Sequence, residues 1–271
     1  MTDDGTDERK EHPLKATTTN SKELLYIKAL NYGPSGIGKT TSIGTLNEKT
    51  CLVVICDRNA VPLRHRAYQA TTLESWNDFR RLFKILRSRD PEDTGLVLGE
   101  VKTLVIDSLS ALSDFCKEDI VQVARPGLMA DRSGGKSDKP KGIYDEQLSM
   151  EDWGLYRTRM TQMLGAFCDL PYHGIMTALE AWTEDKRTGA QYLTPNLNGK
   201  LAHECPAYFD LVLHMEASID ADNNNPIRVW KTAHDGKCIA KDASGALNPF
   251  EIADWSVVFK KILSNGKAKP E

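Results

Sequence analysis

Gly33-Pro-Ser-Gly-Ile-Gly-Lys-Thr40 reads GxxxxGK[ST] without a mismatch, and its two flanks decide how it folds. Before it, Leu25-Tyr-Ile-Lys-Ala-Leu-Asn-Tyr32 is a short run of apolar and β-favouring residues, the pattern of a buried strand. After it, a helix is expected through the Thr41 to Leu46 region. Strand, glycine loop, helix is the order in which such a loop holds phosphate. Gly33, Gly36 and Gly38 let the backbone turn tightly, so that successive N–H groups point inward and the positive end of the helix adds its dipole. Pro34, Ser35, Ile37 and Thr41 complete the cradle. Lys39 is expected along the β- and γ-phosphates, with the Thr40 hydroxyl on Mg²⁺. A chance glycine turn would need neither the strand before it nor the second matching element further on.

The chain has 271 residues, room for one sizeable domain with a substantial core. A net charge of −3 argues against a uniformly basic nucleic-acid binder, so any contact with DNA must come from local patches. Six cysteines are scattered without a CxxC pair and no secretory signal precedes them. That usage points to a reducing cytoplasm and no structural zinc. His203 and Cys205 come nearest to a ligand pair and are read as core or surface residues. No apolar run reaches the roughly 18 residues of a membrane span.

Residues 1–20 carry mixed charge and almost nothing apolar, and are expected to be a flexible tail. Cys51-Leu-Val-Val-Ile-Cys56 reads as a central parallel strand ending in Asp57. Carboxylates at such strand ends face the ligand crevice, so Asp57 either polarises the attacking water or caps a turn. Ser75-Trp-Asn-Asp78 fits a capping box before a helix whose Phe79, Leu82, Phe83 and Leu86 share one face. Lys102-Thr-Leu-Val-Ile-Asp107 is another apolar strand ending in an acid, the position that holds Mg²⁺ in enzymes with an intact phosphate loop.

A helix from Leu109 to about Val123 leads into a basic loop near 125–149, whose first part, 124–142, has loop composition throughout and five cations against two carboxylates, among them Arg132, Lys136 and Lys139. It suits a nucleic-acid backbone or is a solvated excursion. Ser149-Met-Glu-Asp152 caps a helix whose Met and aromatic stripe reads as core, and His173 to Glu180 reads as a strand. Beyond it, residues 181–200 interleave Lys186, Arg187 and Lys200 with Trp182 and Tyr192, a composition shared by single-strand-binding loops and exposed hairpins. Tyr208 to Met215 is a fifth strand, and Ile227 to Thr232 is expected to pair with Lys237 to Lys241 around Asp235-Gly236 as a C-terminal β-hairpin. Ala253 to Leu263 closes the domain as strand or helix, and 265–271 is expected to be a second loose tail.

This order of elements resembles the RecA-like branch of P-loop ATPases. Thr103-Leu-Val-Ile-Asp-Ser-Leu-Ser110 is similar to that family's second nucleotide motif, in which serine follows the magnesium acid. More narrowly, the run from about 24 to 263 resembles the phage nucleotide-binding proteins related to the Sak group of single-strand annealing proteins. The features behind this are Asp107-Ser-Leu, Trp153-Gly-Leu-Tyr after a basic loop, Pro195 with Asn198-Gly-Lys200, and Lys241-Asp-Ala-Ser-Gly-Ala-Leu247. The resemblance implies an α/β RecA-like core over 21–264, its mostly parallel sheet ordered 5-1-4-3-2 and flanked by helices. It implies single-stranded DNA held by the loops 125–149 and 181–200, and Glu180 as the sensor of the γ-phosphate. It also implies copies of the chain assembled as a ring or filament, with a cation from a neighbour, Lys241, Arg228 or Lys231, on the nucleotide.

RecA proteins carry a glutamate just after the second strand. Here the nearest acid is Asp57, followed by Arg58 and Asn59, so hydrolysis is slow or Asp57 substitutes. The expectation is a recombination ATPase, using ATP and Mg²⁺ in the cytoplasm of a bacterial host if phage-encoded. It would bind single-stranded DNA, work beside a single-stranded DNA-binding protein, and promote annealing or strand pairing. Lys39, Asp57 and Glu180 are its catalytic candidates. Two alternatives stay open: a small-molecule or nucleotide kinase, which needs an arginine-bearing lid that is not evident, and a nucleotide-gated scaffold that binds ATP without turnover.

Overall fold

The computed structural model describes residues 26–57, 60–90, 94–124, 148–185, 188–219 and 225–265. Its strands are β1 (Lys28–Gly33), β2 (Cys51–Ile55), β3 (Gln69–Thr72), β4 (Thr103–Asp107), β5 (His173–Glu184), β6 (Gln191–Pro195), β7 (Leu211–Ile219), β8 (Pro226–Lys231), β9 (Lys241–Asp242) and β10 (Phe250–Ile252). Its helices are α1 (Lys39–Ile43), α2 (Trp76–Ser88), α3 (Leu109–Ala124), α4 (Met150–Cys168), α5 (Leu201–Glu204) and α6 (Trp255–Asn265).

The continuous apolar runs become strands buried on both faces, as parallel strands under helices must be. β1 and β4 are buried at every residue. The pleat sends alternate side chains to opposite layers. Leu52, Val54, Leu104 and Ile106 pack under α2, α3 and α4. Cys51, Val53 and Val105 pack on the other side with Ile43, Trp255 and Val258. The central order is β7-β1-β5-β4-β2, all parallel. This is the expected 5-1-4-3-2, extended by β3 beyond β2 and by antiparallel β8 and β10 beyond β7.

The caps fall where the sequence puts them. Asp78 N donates to Ser75 Oγ at 3.1 Å at the start of α2. Ser149 and Asp152 exchange bonds at the start of α4, at 3.2 and 2.9 Å. The Met and aromatic stripe of α4, including Tyr156, Met160 and Phe167, is core.

Three expectations are corrected. The Ile227–Thr232 segment does not pair with Lys237–Lys241: both edges of β8 are taken, by β7 and β10. Asp235 Oδ1 instead accepts from Lys237 N and Cys238 N, and the chain beyond runs beside β6, with Leu193 N donating to Lys237 O at 2.8 Å. The C-terminal hairpin is β7 with β8. The fourth strand does not stop at Glu180 but continues to Glu184, because β6 pairs with its outer half; the 181–200 stretch is thus largely a β-hairpin. Helix α1 spans only five residues, and the chain goes on to Leu46 in i→i+3 turns, as its β-branched residues and Gly44 favour.

Candidate nucleotide site

The phosphate loop leaves β1 at the C-terminal edge of the parallel strands, between β7 and β5. Gly33 has no space for a side chain, since a Cβ there would lie 2.8 Å from Met215 O on β7. Lys39 folds back along the loop and donates from Nζ to Gly33 O at 2.9 Å and Pro34 O at 2.8 Å. Burial pulls its ammonium below the usual lysine range, against the carboxylates of Asp107, Glu180 and Asp57, which raise it. One cation and three acids therefore share a small volume. The crevice beside Lys39 is lined by Ser35, Gly36, Gly38, Thr40 and Thr41 on the loop side and by Asp57, Pro62, Asp107 and Leu179 opposite. A wider groove between α2 and α4, floored by Phe79, Phe83 and Met163, gathers no comparable set of groups.

Asp107 is 5% exposed, and both its oxygens are occupied: Oδ2 accepts from Thr40 Oγ1 at 2.7 Å and Oδ1 from Thr177 Oγ1. The residues fit a hard cation, for the hydroxyl of Thr40 and the carboxylate of Asp107 already meet and both are oxygen donors. Pairing β4 with β5 brings Thr177 to Asp107, and the sequence reading passed over it. Its signal was a lone hydroxyl inside an apolar strand.

Glu180 is held by His214, whose Nε2 lies 2.8 Å from Oε2. His214 was also missed, and its signal was the same, a buried polar residue in the fifth strand. The contact continues outward. His214 Nδ1 lies 3.1 Å from Glu216 Oε1, and Lys231 Nζ reaches Glu216 at 2.8 Å and Asp235 at 2.9 Å. Burial pushes the Glu216 carboxyl up, but Lys231 and His214 hold it below the usual range. The ligand atoms of His214, Glu216 and Cys238 gather within 4.8 Å of one another. With the Cys238 thiol pushed by burial up to about 12, Glu216 is taken up by the Lys231 ammonium, and the cluster centres on the ion pairs of Lys231 with Glu216 and Asp235.

The cations expected to serve a neighbour are placed in contact with their own chain. Lys231 is spent on that network, Lys241 donates to Phe209 O at 2.6 Å, and Arg228 donates from Nε to Ile37 O at 2.7 Å. Lys200 is exposed at the start of α5. Arg132, Lys136, Lys139, Lys186 and Arg187 lie outside the described residues.

A family model described as an AAA domain matches residues 25–244. The chain belongs to this AAA-domain family. With its intact phosphate loop it is a P-loop ATPase, and the family implies a nucleotide with Mg²⁺. Among solved structures the AAA-domain chain is similar to the flagellar accessory protein FlaH from Methanocaldococcus jannaschii, at 10% identity over 83% of each chain with a TM-score of 0.36. It is also similar to a KaiC-like protein from Pyrococcus horikoshii OT3, at 14% identity over 75% of this chain and 76% of that one, TM-score 0.34. Both likenesses are loose. No curated protein matches the chain. No helix among the described residues is long and apolar enough to cross a membrane.

Proposed function

We propose that this AAA-domain ATPase binds Mg²⁺ and ATP in the crevice beside Lys39. We further propose that it passes the state of the γ-phosphate to single-stranded DNA, which it helps to anneal or pair, several copies acting together. The roles follow from position. Amides of the 33–40 loop and Lys39 hold the phosphates, and Thr40 and Asp107 hold the cation, Thr177 keeping the Asp107 carboxylate in place. When bound, the cation draws charge off the terminal phosphate oxygens. Asp57, on the crevice wall, orients water for attack on the γ-phosphorus, and Glu180, next in the chain to the wall residue Leu179 and bonded to His214, senses the group that leaves.

The observation that carries the DNA reading is the continuity of β5. One strand runs from Thr177, on the magnesium acid, through Glu180, on His214, to Trp182, which is 68% exposed on the hairpin. Five residues of strand span roughly 16 Å, so a change at the phosphate end reaches an exposed aromatic through a single stiff element. The exposed ring on this hairpin, and the exposed Lys200 that follows it in the chain, have the chemistry that suits unstacked bases and phosphate. The test is retention of a labelled oligonucleotide on nitrocellulose at low salt. ATP-dependent retention is expected; retention that ignores ATP, or none, removes the DNA reading and leaves the ATPase.

A further inference from the structure

The phosphate loop is gripped from outside by a residue that belongs to no nucleotide motif. Arg228, on β8, donates from Nε to the carbonyl oxygen of Ile37 at 2.7 Å. Its side chain lies against Gly38: a Cβ on that glycine would fall 2.3 Å from Arg228 Nε and 2.5 Å from Cδ. Gly38 itself sits at φ 112°, in the left-handed region. The backbone of Arg228 is fixed on both sides, paired with Ala217 on β7 and accepting from Ala253 N at 3.0 Å.

The carbonyl of Ile37 and the amide of Gly38 belong to one planar trans peptide unit, so holding the first orients the second. A carbonyl held on the outer face of the loop turns its amide the opposite way, toward the crevice, where loop N–H groups meet phosphate. Donation from a charged guanidinium also polarises that peptide, which makes the Gly38 amide a stronger donor. We infer that Arg228 is a positioning residue acting within its own chain: it presets the Ile37–Gly38 peptide for the diphosphate. This rests on the nucleotide reading above, and gives Arg228 a different task from the neighbour-directed cation expected from sequence. A cation reaching into a neighbour acts on turnover and only in an assembly. A loop holder acts on binding by a single copy, and on ADP as much as on ATP.

The test is titration of fluorescent ADP and ATP analogues into wild type, Arg228→Ala, Arg228→Lys and Lys39→Ala at low protein concentration, with melting temperatures of the ligand-free proteins. Arg228→Ala is expected to weaken both nucleotides about tenfold, the loss of one charge-assisted bond. Arg228→Lys, which keeps a charged donor, should recover most of it, and the melting temperatures should agree because the residue is exposed. If Arg228→Ala binds ADP as wild type does while Lys39→Ala does not, the inference fails and the nucleotide reading stands. If Lys39→Ala binds as wild type does, the nucleotide reading itself fails. A weakening that Arg228→Lys does not relieve, accompanied by a lower melting temperature, marks a structural role only and also overturns the inference.

Discussion

At the scale of single residues, the proposed function turns on Asp107, the carboxylate that would join the cation to the protein. Its two oxygens accept from Thr40 and Thr177, so Asp107→Asn keeps the shape but loses the charge that a cation needs. Affinity for ATP in Mg²⁺ should fall tenfold or more, about 1.4 kcal/mol, while affinity in EDTA changes little; calorimetric titration under both conditions reads the difference. His214 works at one remove, through Glu180. Replacing it with Phe keeps the packing against Tyr32, whose ring centroid is 5.0 Å away, and removes the bond to Glu180. The expected outcome in steady-state assays is a kcat lower by roughly tenfold, with KM for ATP within about twofold. Lys39, Thr40 and Asp107 were legible because their spacing and strand context form a motif. Thr177, His214 and the contact of Arg228 with Ile37 were not. Arg228 and Ile37 are 191 positions apart in the chain, and only the folding of β8 beside β7 brings them together.

At the scale of elements, the buried parallel strands could be read because each is one apolar run bounded by polar residues. The outer half of β5 could not. Ala181-Trp-Thr-Glu184 has the mixed composition of a loop, and what makes it a strand is pairing with Gln191–Pro195. Trp182, exposed there, is the residue to remove: Trp182→Ala should weaken single-stranded DNA by about 1–3 kcal/mol in fluorescence anisotropy, with no fall in melting temperature.

The foot of β1 gives a pH test. Lys28 is buried and donates from Nζ to Leu170 O and Tyr172 O, both at 2.7 Å. Burial lowers its pKa to about 8. Between about pH 8 and pH 10 the unfolded chain therefore holds a proton on Lys28 that the folded chain has released, so this residue's contribution to stability rises with pH. Relative to Lys28→Met, the wild type should gain stability across that window, by at most about 1.4 kcal/mol per pH unit, measured by denaturant unfolding at several pH values. A difference that stays flat would mean the lysine keeps its proton in the fold.

At the scale of the whole molecule, one sheet carries everything described: the phosphate loop at its centre, the acids on β4 and β5 to one side, and the β7–β8 edge gripping the loop from the other. Sequence reading reached the central five strands in order and fell short at the margins. There the pairings of β3, β8 and β10 depend on which edges are free, a property of the folded sheet and not of any one segment. The measurement that bears most directly on the whole is calorimetric titration of ATP with Mg²⁺ into wild type and Lys39→Ala. Binding by the wild type at one site per chain, weakened at least a hundredfold by the substitution, is the expected result. A wild type that binds no nucleotide, or a variant that binds as tightly, would contradict it.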